Sequence, residues 1–303
     1  IVRLANLATL SYSRSRLSRE VLIVDMPTLV GSRSLLASAR LWALYRGMMS
    51  GPPVLGCALM SLEQWLLSEA KQGKDIREIV RKILDSSSSA AIVAVIASVA
   101  LAYPAAVGDE ILPLLGVREF YQWDFERSHQ EHAVVSDMGS ILGLPARGFD
   151  EIYHQERKAS DALPHRKSNL EDLTFRLQLT PLRDRIWSIL DQFYAALQPE
   201  EGQSEPDKKW RIALHRMDAR HFKAEEGDEP GKIILTAEEP AADLQQYIEK
   251  GSKEFAPIQR RMRLARWGMT RFRREPQSTD SFPDWHDALR EAQIIWEEQP
   301  SET

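Results

Sequence analysis

The sequence predicts an all-α protein, built as an irregular antiparallel helical array or a HEAT-like solenoid with at most one short β-hairpin. Apolar residues recur at helical spacing in several segments, and helix start and stop signals separate those segments. The turns between them are so short that neighbouring helices must pack antiparallel. Because no fixed-period repeat is present, the pattern favours an irregular array over a named repeat.

The length and composition are those of a folded, intracellular chain. Its 303 residues are enough for two or three cores, and 43% apolar and 27% charged residues are ordinary for a globular protein. A net charge of -5 argues against a whole surface shaped for nucleic acid or anionic lipid. The single cysteine, Cys57, cannot form an internal disulfide. We therefore expect a cytoplasmic location and no membrane contact.

The first helical region is predicted over residues 34–138, after an end of a preceding domain or a linker at 1–33. Four leucines between residues 55 and 66 recur at i, i+4, i+7 and i+11, which predicts one helix. Asp75 with Glu78 predicts a capping box before a second helix. A serine run caps a third, residues 90–103, which is apolar on every face. That helix is too short to cross a bilayer and is expected to be wrapped by its neighbours.

Glycine and proline cluster in residues 139–150, which predicts a connection to a second helical region at 151–275. In that region, Ser168 with Glu171 predicts a capping box, and Thr180 predicts another helix start. A small hairpin is expected near residues 220–236.

The end of the chain is predicted to hold one long and one short helix. The long helix covers roughly residues 241–274, and Pro257 is expected to kink or break it. The tail at 276–303 is expected to contain one short amphipathic helix around Trp285. Since the chain begins without methionine or a signal peptide, we interpret it as a segment of a longer protein.

One basic stretch suggests a binding surface. Guanidinium forks interleaved with aromatic rings suit phosphates and bases, so this helix is a candidate site for nucleic acid or another polyanion. The favoured alternative is a solvated or salt-bridged structural helix, because Ile258, Met262, Ala265, Met269 and Phe272 follow core-facing spacing. The candidate residues are Arg260, Arg261, Arg263, Arg266, Trp267, Arg271, Arg273 and Arg274.

Other chemical motifs are weak. His215, Asp218 and His221 stand at i, i+3 and i+6 and could ligate a metal, but ordinary polar packing is favoured. His129 and His132 have the same interpretation, since the H-E-x-x-H spacing is absent. We therefore predict no metal site.

Nucleophile and phosphate-binding signals are also weak or missing. Ser68 and Lys71 match S-x-x-K, a pattern short enough to arise by chance. Cys57 is expected to be a buried, inert thiol. Neither phosphate-binding glycine motif is present, so we predict no cofactor, no nucleotide site and no enzymatic activity for this chain itself.

Four helical stretches resemble the helical portion of very large bacterial ATP-binding proteins of the STAND class of signal-transducing NTPases. They are residues 40–47, 58–66, 87–104 and 213–218, within a likeness that spans about residues 35–225. The resemblance implies an ATPase site outside this chain, and it makes this chain a helical scaffold or sensor segment. Several proteins of that class act in defence against phage. The implied partners are other domains of the same protein or another protein, including further protomers.

Overall fold

A computed structural model describes residues 1–16, 19–28, 31–47, 51–133, 155–156, 159–198, 202–226, 233–272, 282 and 284–297, without the side chains of His132, Ala133, Arg266 and residues 269–272. Over these residues the chain is mostly helical, with two short two-stranded sheets. The predicted helical class is confirmed, whereas the prediction of at most one hairpin is wrong. The HEAT-like arrangement stays a prediction.

The elements follow one another through short connections. The first half contains α1 (Val2–Arg16), β1 (Leu22–Thr28), β2 (Gly31–Ala37), α2 (Ala39–Trp42), α3 (Pro53–Lys71), α4 (Arg77–Ser86), α5 (Ala90–Ala102), α6 (Pro104–Val107), α7 (Leu112–Leu115) and α8 (Arg118–Ala133). The second half contains α9 (Leu170–Leu177), α10 (Arg183–Ala195), α11 (Glu205–Met217), β3 (Phe222–Glu226), β4 (Ile233–Ala237), α12 (Ala242–Phe272) and α13 (Trp285–Glu297). Short 3-10 turns follow α2, α6 and α11, and another covers Pro164–Lys167.

The chain divides into two compact units. The first consists of Ile1–Gln203 and Ala213–Thr236, and the second of Ser204–Ile212 and Ala237–Thr303. The predicted connection at 139–150 lies outside the described residues. The other predicted domain boundaries stay predictions.

The hairpin that the sequence interpretation missed is formed by β1 and β2. The strands pair antiparallel from Leu22 opposite Ala37 to Thr28 opposite Gly31. Val24 and Met26 are buried while their neighbours along β1 are exposed, which is the alternation of a half-buried strand. Gly31 has a φ of 134°, which a side chain would rarely tolerate at the turn. Residues 22–37 thus form a folded element, which the sequence interpretation had divided between a linker and a helical region.

Helix α5 is the centre of the first unit. All its residues except Ala102 are buried, and α2, α3, α4 and α9 contact it. Ser89 caps it, since its hydroxyl accepts a hydrogen bond from the Ala91 amide at 3.2 Å. The five Val and Ile side chains each contribute about 1.5 to 3 kcal/mol by burial. The prediction of a helix surrounded on all sides is confirmed.

The predicted capping boxes were not found at the predicted residues. Helix α9 is capped by Asn169, whose side chain accepts from the Asp172 amide at 3.2 Å, while Asp172 accepts from the Asn169 amide at 2.9 Å. The box is one residue later than predicted because Glu171 instead binds Arg216, at 2.9 and 3.0 Å. Helix α4 begins at Arg77 without a side-chain cap.

The remaining helix starts and the hairpin near residue 220 differ from prediction only in detail. Thr180 accepts from the Leu182 amide at 3.2 Å, just before α10 begins. Strand β3 pairs with β4, so the predicted hairpin exists with longer strands.

The second unit is built on α12. This 31-residue helix continues through Pro257 and does not break there. At its start, Arg211 donates to Asp243 at 2.7 Å, and the Tyr247 hydroxyl donates to Glu205 at 3.1 Å. Helix α13 contacts the later part of α12 and is the predicted short amphipathic helix.

None of the described helices combines the length and the apolar character that crossing a bilayer requires.

Candidate functional site

The basic helix is partly committed to contacts within its own unit. Arg260 donates to Glu291 at 2.7 Å, and the Arg263 guanidinium lies 4.6 Å from the centre of the Phe282 ring. Trp267 meets the same ring edge-on at 6.0 Å. Three of the predicted polyanion-binding residues therefore face the segment that contains Phe282 and Glu291.

The remaining predicted polyanion-binding residues divide into two groups. Arg261 is exposed and forms no ion pair within the described part of the chain. The side chains of Arg266 and Arg271, and all of Arg273 and Arg274, lie outside the described structure. The prediction of a polyanion surface stays a prediction.

The apolar residues of α12 do not lie in a core. The sequence interpretation placed Ile258, Met262 and Ala265 on a core-facing stripe, but Ile258 is 47% exposed, Met262 is 60% exposed and Ala265 is also exposed. That interpretation is wrong for these three residues, because Arg260, Arg263 and Trp267 occupy the face that meets Phe282 and Glu291. The side chains of Met269 and Phe272, also predicted for the stripe, are not described.

Two further apolar side chains extend this surface toward the start of α12. Ile248 is 39% exposed and Phe255 is 47% exposed. At about 100° per residue, Ile248, Phe255, Ile258 and Met262 fall within roughly a quarter of the helix circumference. We call these four residues the exposed apolar stripe.

The candidate metal ligands pair with other side chains. Asp218 is buried, and its carboxylate accepts from the Arg220 amide at 3.0 Å and from the Arg220 guanidinium at 2.7 Å. Burial acts to raise the pKa of Asp218, but the Arg220 hydrogen bonds outweigh it and hold the pKa below its usual value. His215 and His221 stack with ring centres 4.5 Å apart, and Tyr194 lies 3.2 Å from His221 Nε2. Within the described residues no group of three metal-binding side chains occurs.

Two other sequence candidates are exposed side chains. Cys57 is exposed, so the expectation of a buried thiol is wrong. It lies on the face of α3 opposite the leucine stripe that packs into the core. His129 is exposed, and its Nδ1 lies 3.1 Å from the Phe125 carbonyl oxygen.

The core of the first unit contains a cluster of buried ion pairs that the sequence analysis did not predict. On one side, Arg166 donates to Glu63 at 2.7 Å and to the Ser98 hydroxyl at 3.0 Å, and Ser98 donates to Glu63. The Arg166 and Glu63 side chains are only 4% and 6% exposed. The Tyr45 ring lies 5.6 Å from the Arg166 guanidinium. Burial raises the pKa of Tyr45 to about 12, so its phenol is neutral at pH 7.

On the other side of this cluster, Asp124 accepts three hydrogen bonds. They come from the Trp42 indole at 3.0 Å, from Arg127 at 2.7 Å and from the Leu170 amide at 2.9 Å. Arg127 also donates to Glu131 at 3.1 Å. These contacts tie α2, α8 and the start of α9 together.

Arg46 completes the cluster. It donates to Glu131, to Asp161 at 2.9 Å and to the Ser160 hydroxyl at 3.1 Å. We call Arg46, Glu63, Asp124, Arg127, Glu131, Asp161 and Arg166 the core ion cluster. Because each charge is paired and most are fully buried, the cluster fixes helix positions and presents no free acid or base. The individual residues are ordinary surface types, so no local pattern in the sequence announces it.

A pocket of about 510 Å³ opens beside this cluster. Ser68 and Lys71 of α3 line it, together with His165 and Arg176. Ser68 accepts a hydrogen bond from the Gln72 side chain at 3.2 Å. His165 is buried, and its Nε2 atom has no hydrogen-bond partner. The S-x-x-K residues therefore lie at a pocket, although the motif alone does not predict His165 or Arg176 beside them.

Burial, and to a lesser extent the neighbouring Arg166 charge, lowers the pKa of His165 from 6.5 to about 4. Its ring is therefore neutral at pH 7, and one ring nitrogen carries a proton. The pocket thus combines one neutral imidazole with two basic side chains.

No family model matches this chain, and no curated protein sequence shows significant similarity to it. The resemblance to STAND proteins is therefore carried only by the residues quoted for it.

Proposed function

We propose that this chain is a non-catalytic helical scaffold or sensor segment of a larger, cytoplasmic, STAND-like ATP-binding protein of bacteria. Defence against phage is the setting that the resemblance suggests. The exposed apolar stripe on α12 is the observation that carries the proposal, because it is a ready surface for another helix.

The stripe supports partner binding through its composition and spacing. Ile248, Phe255, Ile258 and Met262 recur on one helix face, which is how an amphipathic helix meets an apolar groove or a second helix. Exposed contiguous apolar surface is costly in a lone protein and commonly marks an interface. Its occupant in this proposal is a helix from another domain of the same protein or from another protein.

The core ion cluster supports a structural role for the charged residues of the first unit. Glu63 and Asp124, the carboxylates buried most deeply among its helices, bind arginines and backbone or hydroxyl donors. Such groups hold elements in place and have no free proton to exchange with a substrate.

The stripe is tested by mixing this chain with the remainder of its gene product, expressed separately, and measuring the Kd of the complex. The double variant Ile258→Glu and Met262→Glu should weaken binding about tenfold or more, because two carboxylates would be buried in an apolar contact. Lys253→Glu, a matched control elsewhere on α12, should leave the Kd within about twofold. Equal effects of both changes would contradict the proposal.

The absence of a nucleotide site from this chain is tested separately. We expect isothermal titration of the chain alone with ATP to give no binding heat, while circular dichroism shows a stable helical fold. Specific ATP binding or turnover by the chain would overturn the scaffold proposal.

A nucleic-acid-binding module is the alternative, and exposed Arg261 is the observation that favours it. Arg260 and Arg263 would have to leave Glu291 and Phe282 to reach phosphates. The intramolecular contacts therefore weigh toward the scaffold.

A further inference from the structure

We propose that the pocket between α3, the end of α5 and the start of α9's neighbourhood binds a small organic oxyanion, a carboxylate or phosphate attached to an apolar body. The pocket is lined by residues of α3, by residues 101–103, by residues 163–168 and by Arg176. Its volume of about 510 Å³ lies within the usual range for small-molecule sites.

The charge of the lining points to an anion. Lys71 and Arg176 both line the pocket, and no carboxylate does. Arg176 donates to the Leu101 carbonyl oxygen at 3.3 Å, and neither Arg176 nor Lys71 has an ion-pair partner among the described residues. Two basic side chains without acidic partners at one pocket are suited to charge-assisted hydrogen bonds with an oxyanion.

The His165 ring adds a polar contact that the protein itself leaves unused. Its Nε2 atom is buried without a partner, although buried polar atoms are nearly always paired. A small adjustment of the pocket wall would bring a ligand oxygen to this atom. Ser68, Ser168 and Gln64 supply further polar groups on the lining.

The rest of the lining points to an organic ligand. Leu67, Leu101, Leu163 and Pro164 form apolar surface, and Tyr103 adds an aromatic ring. A bare inorganic ion would leave this surface in water, whereas an apolar body would cover it. The ligand class is therefore an oxyanion with a hydrocarbon or aromatic part.

This inference goes beyond the proposed function and does not depend on it. All residues of the pocket belong to the first compact unit, and the exposed apolar stripe belongs to the second. Loss of partner binding through the stripe would leave the pocket intact, so the two proposals can fail separately.

The test is an NMR titration of the whole chain that follows the ring signals of His165 and Tyr103. The probes are phenylacetate, phenyl phosphate and inorganic phosphate, with 2-phenylethanol as the uncharged analogue. We expect saturable shifts with the two organic anions at concentrations up to about 10 mM, as befits small ligands. Whichever binds more tightly identifies carboxylate or phosphate as the preferred group.

Variants assign the binding to the pocket. Lys71→Gln changes an exposed residue and should weaken anion binding about tenfold, and Arg176→Gln should do the same. Lys167→Gln is the matched control, because Lys167 is exposed and nearby but does not line the pocket. Its affinity should stay within about twofold of the unchanged chain.

Four results would overturn the proposal. They are no saturable shift with either organic anion, equal binding of 2-phenylethanol, equal binding of inorganic phosphate, and equal weakening by Lys167→Gln and Lys71→Gln.

Discussion

Replacing Glu63 by leucine should destabilise the first compact unit by about 3 to 5 kcal/mol, because it leaves a buried guanidinium without its carboxylate. Arg166 would lose the 2.7 Å bond to Glu63 and keep only Ser98 and the Tyr45 ring as neighbours. A hydrogen bond to a charged group contributes about 1.5 to 3 kcal/mol, so losing it together with the Ser98 bond accounts for this range.

The compensating change distinguishes a lost ion pair from a general packing defect. In the double variant Glu63→Leu with Arg166→Met, no unpaired charge remains, and apolar side chains of similar length fill the site. Buried ion pairs replaced in this way commonly cost little, so the double variant should be more stable than Glu63→Leu by about 2 kcal/mol or more.

The assay is urea unfolding followed by circular dichroism, with the transition of the first unit compared among variants. Glu69→Leu is the control, because its pair with Lys74 is more exposed and should contribute about 1 kcal/mol at most. The reasoning would be refuted if Glu63→Leu cost no more than Glu69→Leu. A double variant whose loss equalled the sum of the two single losses would refute it as well.

Three further predictions follow from individual residues. Asn169→Ala should cost about 1 kcal/mol in thermal unfolding by removing the cap of α9, and a loss near zero would contradict the observed box. Because the pKa of His165 falls from 6.5 to about 4 on folding, the unfolded chain takes up the proton first. The unchanged protein should therefore lose stability relative to His165→Gln as pH falls from about 6.5 to 4, as measured by urea unfolding; parallel curves would contradict this. Arg261→Gln should leave binding to single-stranded DNA unchanged at two salt concentrations, and a reduced salt dependence would support the nucleic-acid alternative.

The helices could be predicted because their signals are local. The serines before residue 90, the uniformly apolar run after them and the leucines between residues 55 and 66 each specify an element without reference to distant residues. The β1–β2 hairpin was missed because Val24 and Met26 alternate over only a few residues. So short an alternation is easily taken for a linker.

The environment of each side chain could not be predicted in the same way. Ile258 and Met262 have core spacing, but which face of a helix is covered depends on what packs against it, and here Phe282 and Glu291 cover another face. Likewise, the core ion cluster joins residues as far apart in sequence as Glu63 and Arg166. Long-range pairing of this kind leaves no periodic signal along the chain.

The most direct test of the scaffold account is hydrogen–deuterium exchange across residues 248–262, in this chain alone and in the full-length product of its gene. If the exposed apolar stripe is an interface, its backbone amides should exchange at least about tenfold more slowly in the full-length protein. Residues 90–102, already buried, should exchange equally in both and serve as the internal control. Identical exchange of residues 248–262 in the two proteins would contradict the account.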